Sequence, residues 1–98
     1  MERPTEPPRE RAAATEPIAV TVLLFAQARE RAGSAKLELA LEPGALVRDA
    51  LDALVRAHPG LAGLRPHLAV AVNGALARDG DALAEGAEVA LLPPVSGG

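Results

Sequence analysis

Residues 46–58 read LVRDALDALVRAH, and what this stretch becomes decides what the rest of the chain can be. Val47, Ala50, Leu51, Leu54 and Val55 recur at helical spacing, so a helix gathers them on one stripe while Arg48, Asp49, Asp52 and Arg56 face outward. Asp52 and Arg56 stand in the favourable i,i+4 order, a pairing that contributes roughly 0.3–0.5 kcal/mol and marks a solvated face. His58-Pro59-Gly60 supplies the stop, because the residue before a proline is pushed out of helical backbone. A single amphipathic helix needs one apolar surface to lie on, and the flanking sequence provides it.

Upstream, residues 18–25 (IAVTVLLF) form a nearly continuous apolar, β-branched run that predicts a strand covered on at least one face. Residues 26–32 (AQARERA) hold helix formers up to Gly33 and predict a short helix or turn. Residues 36–41 (KLELAL) alternate, with Leu37, Leu39 and Leu41 on one side, which predicts a second strand hairpinned to the first. Downstream, residues 61–66 connect to residues 68–73 (LAVAVN), where Leu68, Val70 and Val72 alternate with small residues before a turn at Asn73-Gly74. Further turns at Asp79-Gly80-Asp81 and Glu85-Gly86 precede residues 88–92 (EVALL), the last strand. The order strand, strand, helix, strand, strand predicts a mixed sheet with the principal helix packed across one face, a two-layer α+β fold spanning residues 18–92.

Outside that domain the composition changes. Residues 1–17 (MERPTEPPRERAAATEP) are rich in Pro, Glu and Arg and predict a disordered leader, since they offer too little apolar surface to offset ordering entropy. The leader's glutamates argue against an organellar transit peptide. Residues 93–98 (PPVSGG) predict an extended tail: Pro93 and Pro94 fix φ and aim it outward, and Gly97 and Gly98 have no Cβ. Such an end can enter a cleft too narrow for other residues and present its carboxylate to chemistry inside a partner. At about 3.3 Å per residue the tail reaches about 20 Å.

The chain has 98 residues, 49% of them apolar, enough for one small domain. Phe25 is its only aromatic residue, which leaves an aliphatic core and no aromatic platform for stacking bases. A formal net charge of −3 argues against nucleic acid and against an anionic membrane surface as partners. With no cysteine, there is no disulfide and no thiolate nucleophile, and any sulfur the chain carries cannot be a cysteine persulfide. No apolar run approaches the length of a membrane span, and the expected location is cytoplasmic. His58 and His67 lack ligand-spaced partners, and Asp79 and Asp81 read as turn formers, so no metal site is expected. There is no GxxxxGK[ST] phosphate loop, and no cofactor is expected on this chain.

Three strings, VTVLLFAQARERAG, LAVAVNG and EGAEVALLPPVSGG, resemble the small, sulfur-carrying subunit of molybdopterin synthase. The resemblance runs from about Thr21 to Gly98 and implies the β-grasp fold shared with ubiquitin. It also implies a cycle. An ATP-dependent, ubiquitin-activating-like adenylyltransferase adenylates the carboxylate of Gly98, and a sulfur donor converts the acyl adenylate to a thiocarboxylate. The tail then enters the large synthase subunit, where sulfur passes to a cyclic pyranopterin precursor, twice per pterin. On this reading the chain alone is not an enzyme, and the expected assembly is a heterotetramer of two small and two large subunits.

The resemblance further implies docking through an apolar patch on the open face of the sheet, at positions matched here by Phe25, Leu76 and Leu92. Strand parity agrees for one of them: if Val89 and Leu91 face the helix, Leu92 faces away. Ordinary core packing is the competing expectation for Phe25 and Leu76. Val95 would anchor the tail, at about 1.5–3 kcal/mol if fully buried, and Ser96 would act as a small spacer. Two other roles use the same terminal chemistry: a sulfur carrier for thiamine thiazole synthesis, and a ubiquitin-like modifier of protein lysines. Lys36 is the only lysine, which limits polymer formation on the chain itself. A plain interaction domain with an incidental diglycine is the remaining alternative.

Overall fold

The structure is a computed structural model and describes residues 16–94. Most of the expected leader, and Val95, Ser96, Gly97 and Gly98 of the tail, lie outside the described residues. In chain order the elements are β1 (Ile18–Leu24), α1 (Ala26–Ala32), β2 (Lys36–Leu41), α2 (Val47–Ala57), β3 (Ala69–Val72), β4 (Ala75–Ala77) and β5 (Glu88–Leu92). They form a five-stranded mixed sheet in the order β2-β1-β5-β3-β4, with the helices on one side. The two-layer α+β expectation holds, with one addition. β4 was not expected from the sequence, where Asn73-Gly74 reads only as a turn; it is the returning arm of a hairpin whose two central residues take the positive φ angles (52° and 86°) of a type I′ turn.

The first and last strands run parallel in the middle of the sheet, with Val22 opposite Val89 and Leu24 opposite Leu91. Every other strand pair is antiparallel. The parallel pair brings the C-terminal ends of β1 and β5 to the same edge of the domain, which fixes where the tail departs. β1 and β2 pair antiparallel as expected, and of the short helix or turn predicted between them the helix, α1, is what forms.

Alternation then sorts the side chains. Val20, Val22, Leu24, Val89 and Leu91 point to the helical side and are buried, as are Val47, Ala50, Leu51 and Leu54 of α2. Val55, placed on the same stripe by its spacing, packs at the margin of this cluster. Leu61 and Leu64, on the connector after α2, plug the core from below, so that segment is packed rather than loose. The filling is aliphatic throughout, and burial of each Leu or Val contributes about 1.5–3 kcal/mol.

The start of α2 is held by its surroundings. Asp49 Oδ2 accepts a 2.8 Å hydrogen bond from the Leu46 N–H. The N–H groups of Val47 and Arg48, which have no partner inside the helix, donate to the carbonyls of Asp81 and Asp79. Midway along the helix Asp52 pairs with Arg65 of the connector, correcting the Asp52–Arg56 pairing suggested by helical spacing. Arg65 comes from residues distant in sequence, and a local spacing rule has no access to it.

Candidate functional site

The open face of the sheet, opposite α2, is where the described residues depart from an ordinary surface. One register row crosses all five strands: Leu76, Ala71, Ala90, Leu23 and Lys36. Ala69 and Leu92 are paired one step closer to the tail. Phe25 continues β1 with extended backbone beyond Leu24, and Leu92 follows Leu91, the residue opposite Leu24. Phe25 and Leu92 therefore leave the parallel pair together, next to Pro93.

Phe25 is 46% exposed, Leu76 79% and Leu92 36%, and these are the exposed large apolar side chains among the described residues. They ring a floor of Ala69, Ala71 and Ala90, with half-buried Leu23 beside it. Leaving such groups in water forgoes burial that the core could have supplied, which makes this face the candidate interaction surface. Core packing of Phe25 and Leu76 does not occur. The face is divided: towards β2 it becomes polar, with Thr21 between Glu38 and Glu88.

Local geometry explains how these side chains are held out. Ala26 adopts a φ of 49°, a left-handed conformation uncommon for a residue with a Cβ, and turns the chain from β1 into α1 directly after Phe25. Leu76 sits on the three-residue strand β4. Pro93 and Pro94 follow Leu92 without regular structure, Pro93 half-buried and Pro94 exposed. Val95, Ser96, Gly97 and Gly98, the remaining residues singled out from the sequence, lie beyond Pro94 and outside the described residues.

The alanine floor and Leu23 were not singled out from the sequence, although parity carries the signal. Residues alternating with Val22 and Leu24, or with Val70 and Val72, must face the side opposite the core. The histidines do not join a site: His58 caps the end of α2 and His67 is exposed on the connector. Among the described residues no group of three or more His, Cys, Asp or Glu side chains is arranged to hold a metal ion. No helix there is long and apolar enough to cross a membrane.

Residues 22–98 match the ThiS family. Small archaeal modifier protein 1 of Haloferax volcanii is 47% identical over 83 residues, an alignment covering 76% of this chain and 95% of that protein. The molybdopterin synthase sulfur carrier subunit of Chlamydomonas reinhardtii is 40% identical over 81 residues, covering 81% of this chain and 98% of that one.

Among solved structures, the crystal structure of the Haloferax volcanii protein superposes with a TM-score of 0.76 at 43% identity, covering 82% of this chain and 99% of that one. A complex of subunits 1 and 2 of molybdopterin-converting factor from Helicobacter pylori contains a chain that matches with a TM-score of 0.58 at 26% identity, covering 83% and 100%. A ubiquitin from Caldiarchaeum subterraneum matches in fold, with a TM-score of 0.58 at 17% identity, covering 84% and 99%. With its mixed five-stranded sheet, its helix across one face and these matches over most of its length, the chain belongs to the ThiS family of ubiquitin-like β-grasp proteins, alongside the sulfur carrier subunits of molybdopterin synthase.

Proposed function

We propose that the chain carries sulfur on its C-terminal carboxylate for molybdopterin synthesis. The observation that supports this most is the conjunction of an outward apolar face at the root of the tail with the Gly97-Gly98 terminus that follows it. A free carboxylate is a poor electrophile because its charge is delocalised, so activation must precede sulfur transfer. A partner adenylyltransferase joins the Gly98 carboxylate to the α-phosphate of ATP and releases pyrophosphate. A donor of sulfide-level sulfur, HS−, then attacks the acyl carbon and AMP leaves, giving the thiocarboxylate.

On this reading the partners supply the chemistry of these steps, and the chain's own contribution is delivery. Phe25, Leu76 and Leu92 dock the domain on the large subunit, while Pro93, Pro94, Val95 and Ser96 span the distance to its active site. Gly97 and Gly98 enter there, the thiocarboxylate sulfur bonds to a carbon of the cyclic pyranopterin precursor in place of an oxygen substituent, and water cleaves the sulfur–acyl bond to restore the Gly98 carboxylate. The complex of subunits 1 and 2 from Helicobacter pylori supports a large-subunit partner of this kind. Reconstitution with a large synthase subunit tests the reading: the thiocarboxylated chain should convert precursor, and a chain lacking Gly97 and Gly98 should fold normally yet convert none. Conversion without the two glycines would refute it.

A second reading is favoured by the 47% identity to a small archaeal modifier protein. The activated Gly98 would then be attacked by a lysine amine of a target protein instead of by sulfur. The two roles share the adenylate and differ in the nucleophile, so conjugates linked through Gly98, formed in the absence of a sulfur donor, would support the modifier role.

A further inference from the structure

Leu76 is the most exposed of the three large apolar residues, and it stands on the shortest strand, at the edge of the sheet. A three-residue edge strand has little pairing of its own to keep a side chain in place. Two clamps compensate. At one end the turn residue Asn73 reaches across to β5: its N–H donates to the Glu88 carbonyl at 2.8 Å, and its Oδ1 accepts from the Glu88 N–H at 2.9 Å. At the other end the Arg78 N–H donates to Asp81 Oδ2 at 2.8 Å, and the Asp81 carbonyl accepts from Val47 at the start of α2.

Asn73 does two things that few residues combine. Its φ of 52° lies in the left-handed region, where Asn and Asp are tolerated better than other residues with a Cβ. Its side-chain oxygen also satisfies a backbone donor of another strand, 15 residues away in sequence. Glycine would supply the first property and not the second, so an asparagine here does more than shape the turn.

We infer that Asn73 is a positioning residue for docking: by tying the β3–β4 hairpin to Glu88, it holds Leu76 ready on the open face before a partner arrives. This rests on the reading of that face as the docking surface. A loosened hairpin would have to be ordered during binding, at a cost in affinity.

The experiment compares the full chain with its Asn73→Gly, Asn73→Asp and Leu76→Ser variants in two measurements, affinity for a recombinant large synthase subunit and amide hydrogen exchange in the free chain. Asn73→Gly keeps the turn and removes the acceptor. It should speed exchange at Glu88, Ala75 and Ala77 and weaken binding about fivefold, the equivalent of one ordinary hydrogen bond. Asn73→Asp retains an acceptor and should restore both measurements. Faster exchange in Asn73→Gly with unchanged affinity would overturn the inference, as would exchange that does not change at all. If the unaltered chain does not bind, or Leu76→Ser binds as well as it does, the docking reading fails, and with it the role assigned to Asn73.

Discussion

Leu91 and Leu92 are consecutive in β5 and chemically identical, yet Leu91 is 0% exposed and Leu92 36% exposed, on opposite faces of the sheet. One packs in the core; the other lies on the outward apolar face. Leu91→Ala should lower unfolding free energy by about 2–5 kcal/mol in a denaturant titration, because it leaves a cavity beside its cross-strand neighbours Leu24 and Val70 that cannot collapse fully. Leu92→Ser should cost less than about 1 kcal/mol in the same titration, since the side chain is already partly in water. It should instead reduce capture of the large subunit.

Ala26 and Ala50 invite the same substitution with opposite effects. Ala50 is fully buried inside α2, so Ala50→Gly should destabilise by about 1 kcal/mol or more through lost helix propensity and a lost methyl contact. Ala26 sits at a φ of 49°, where a Cβ costs about 1–2 kcal/mol, and Ala26→Gly should leave stability unchanged or raise it. Thermal melting of the two variants in parallel checks the sign.

Asp49 and Asp52 share the outer face of α2, and their sequence context does not rank them. Asp49 bonds to the Leu46 N–H at the helix start, so Asp49→Ala should cost about 1 kcal/mol. Asp52 makes an exposed ion pair with Arg65, and Asp52→Ala should cost less than about 1 kcal/mol, an effect that shrinks further in high salt. Urea titrations at low and high ionic strength separate the two cases.

What was legible in the sequence follows from how local each signal is. β2 runs from Lys36 to Leu41, as its alternation predicts, and α2 lies within a residue of its predicted bounds at either end, because periodicity is written in neighbouring residues. β4 was missed because Ala75–Ala77 carries no β-branched residue and is a strand only by pairing with β3. The parallel pairing of β1 with β5 joins residues about as far apart as the domain allows, and no local pattern states it.

The site divides in the same way. Leu92 was legible by parity, whereas Phe25 and Leu76 came from the resemblance, and their exposure is visible only in the folded chain. Asn73 reads from sequence as a turn former; that its side chain serves Glu88 depends on β3 and β5 being neighbours.

Whether the C-terminal carboxylate carries sulfur is read by intact mass spectrometry. The full chain is incubated with ATP, an activating adenylyltransferase and a sulfur donor. A sulfur carrier should gain the mass difference of one oxygen replaced by one sulfur, localised to Gly98 and absent when ATP is withheld or Gly98 is deleted. A terminus that remains an unmodified carboxylate under these conditions, with the activating partner shown to be competent on another carrier, would contradict that role.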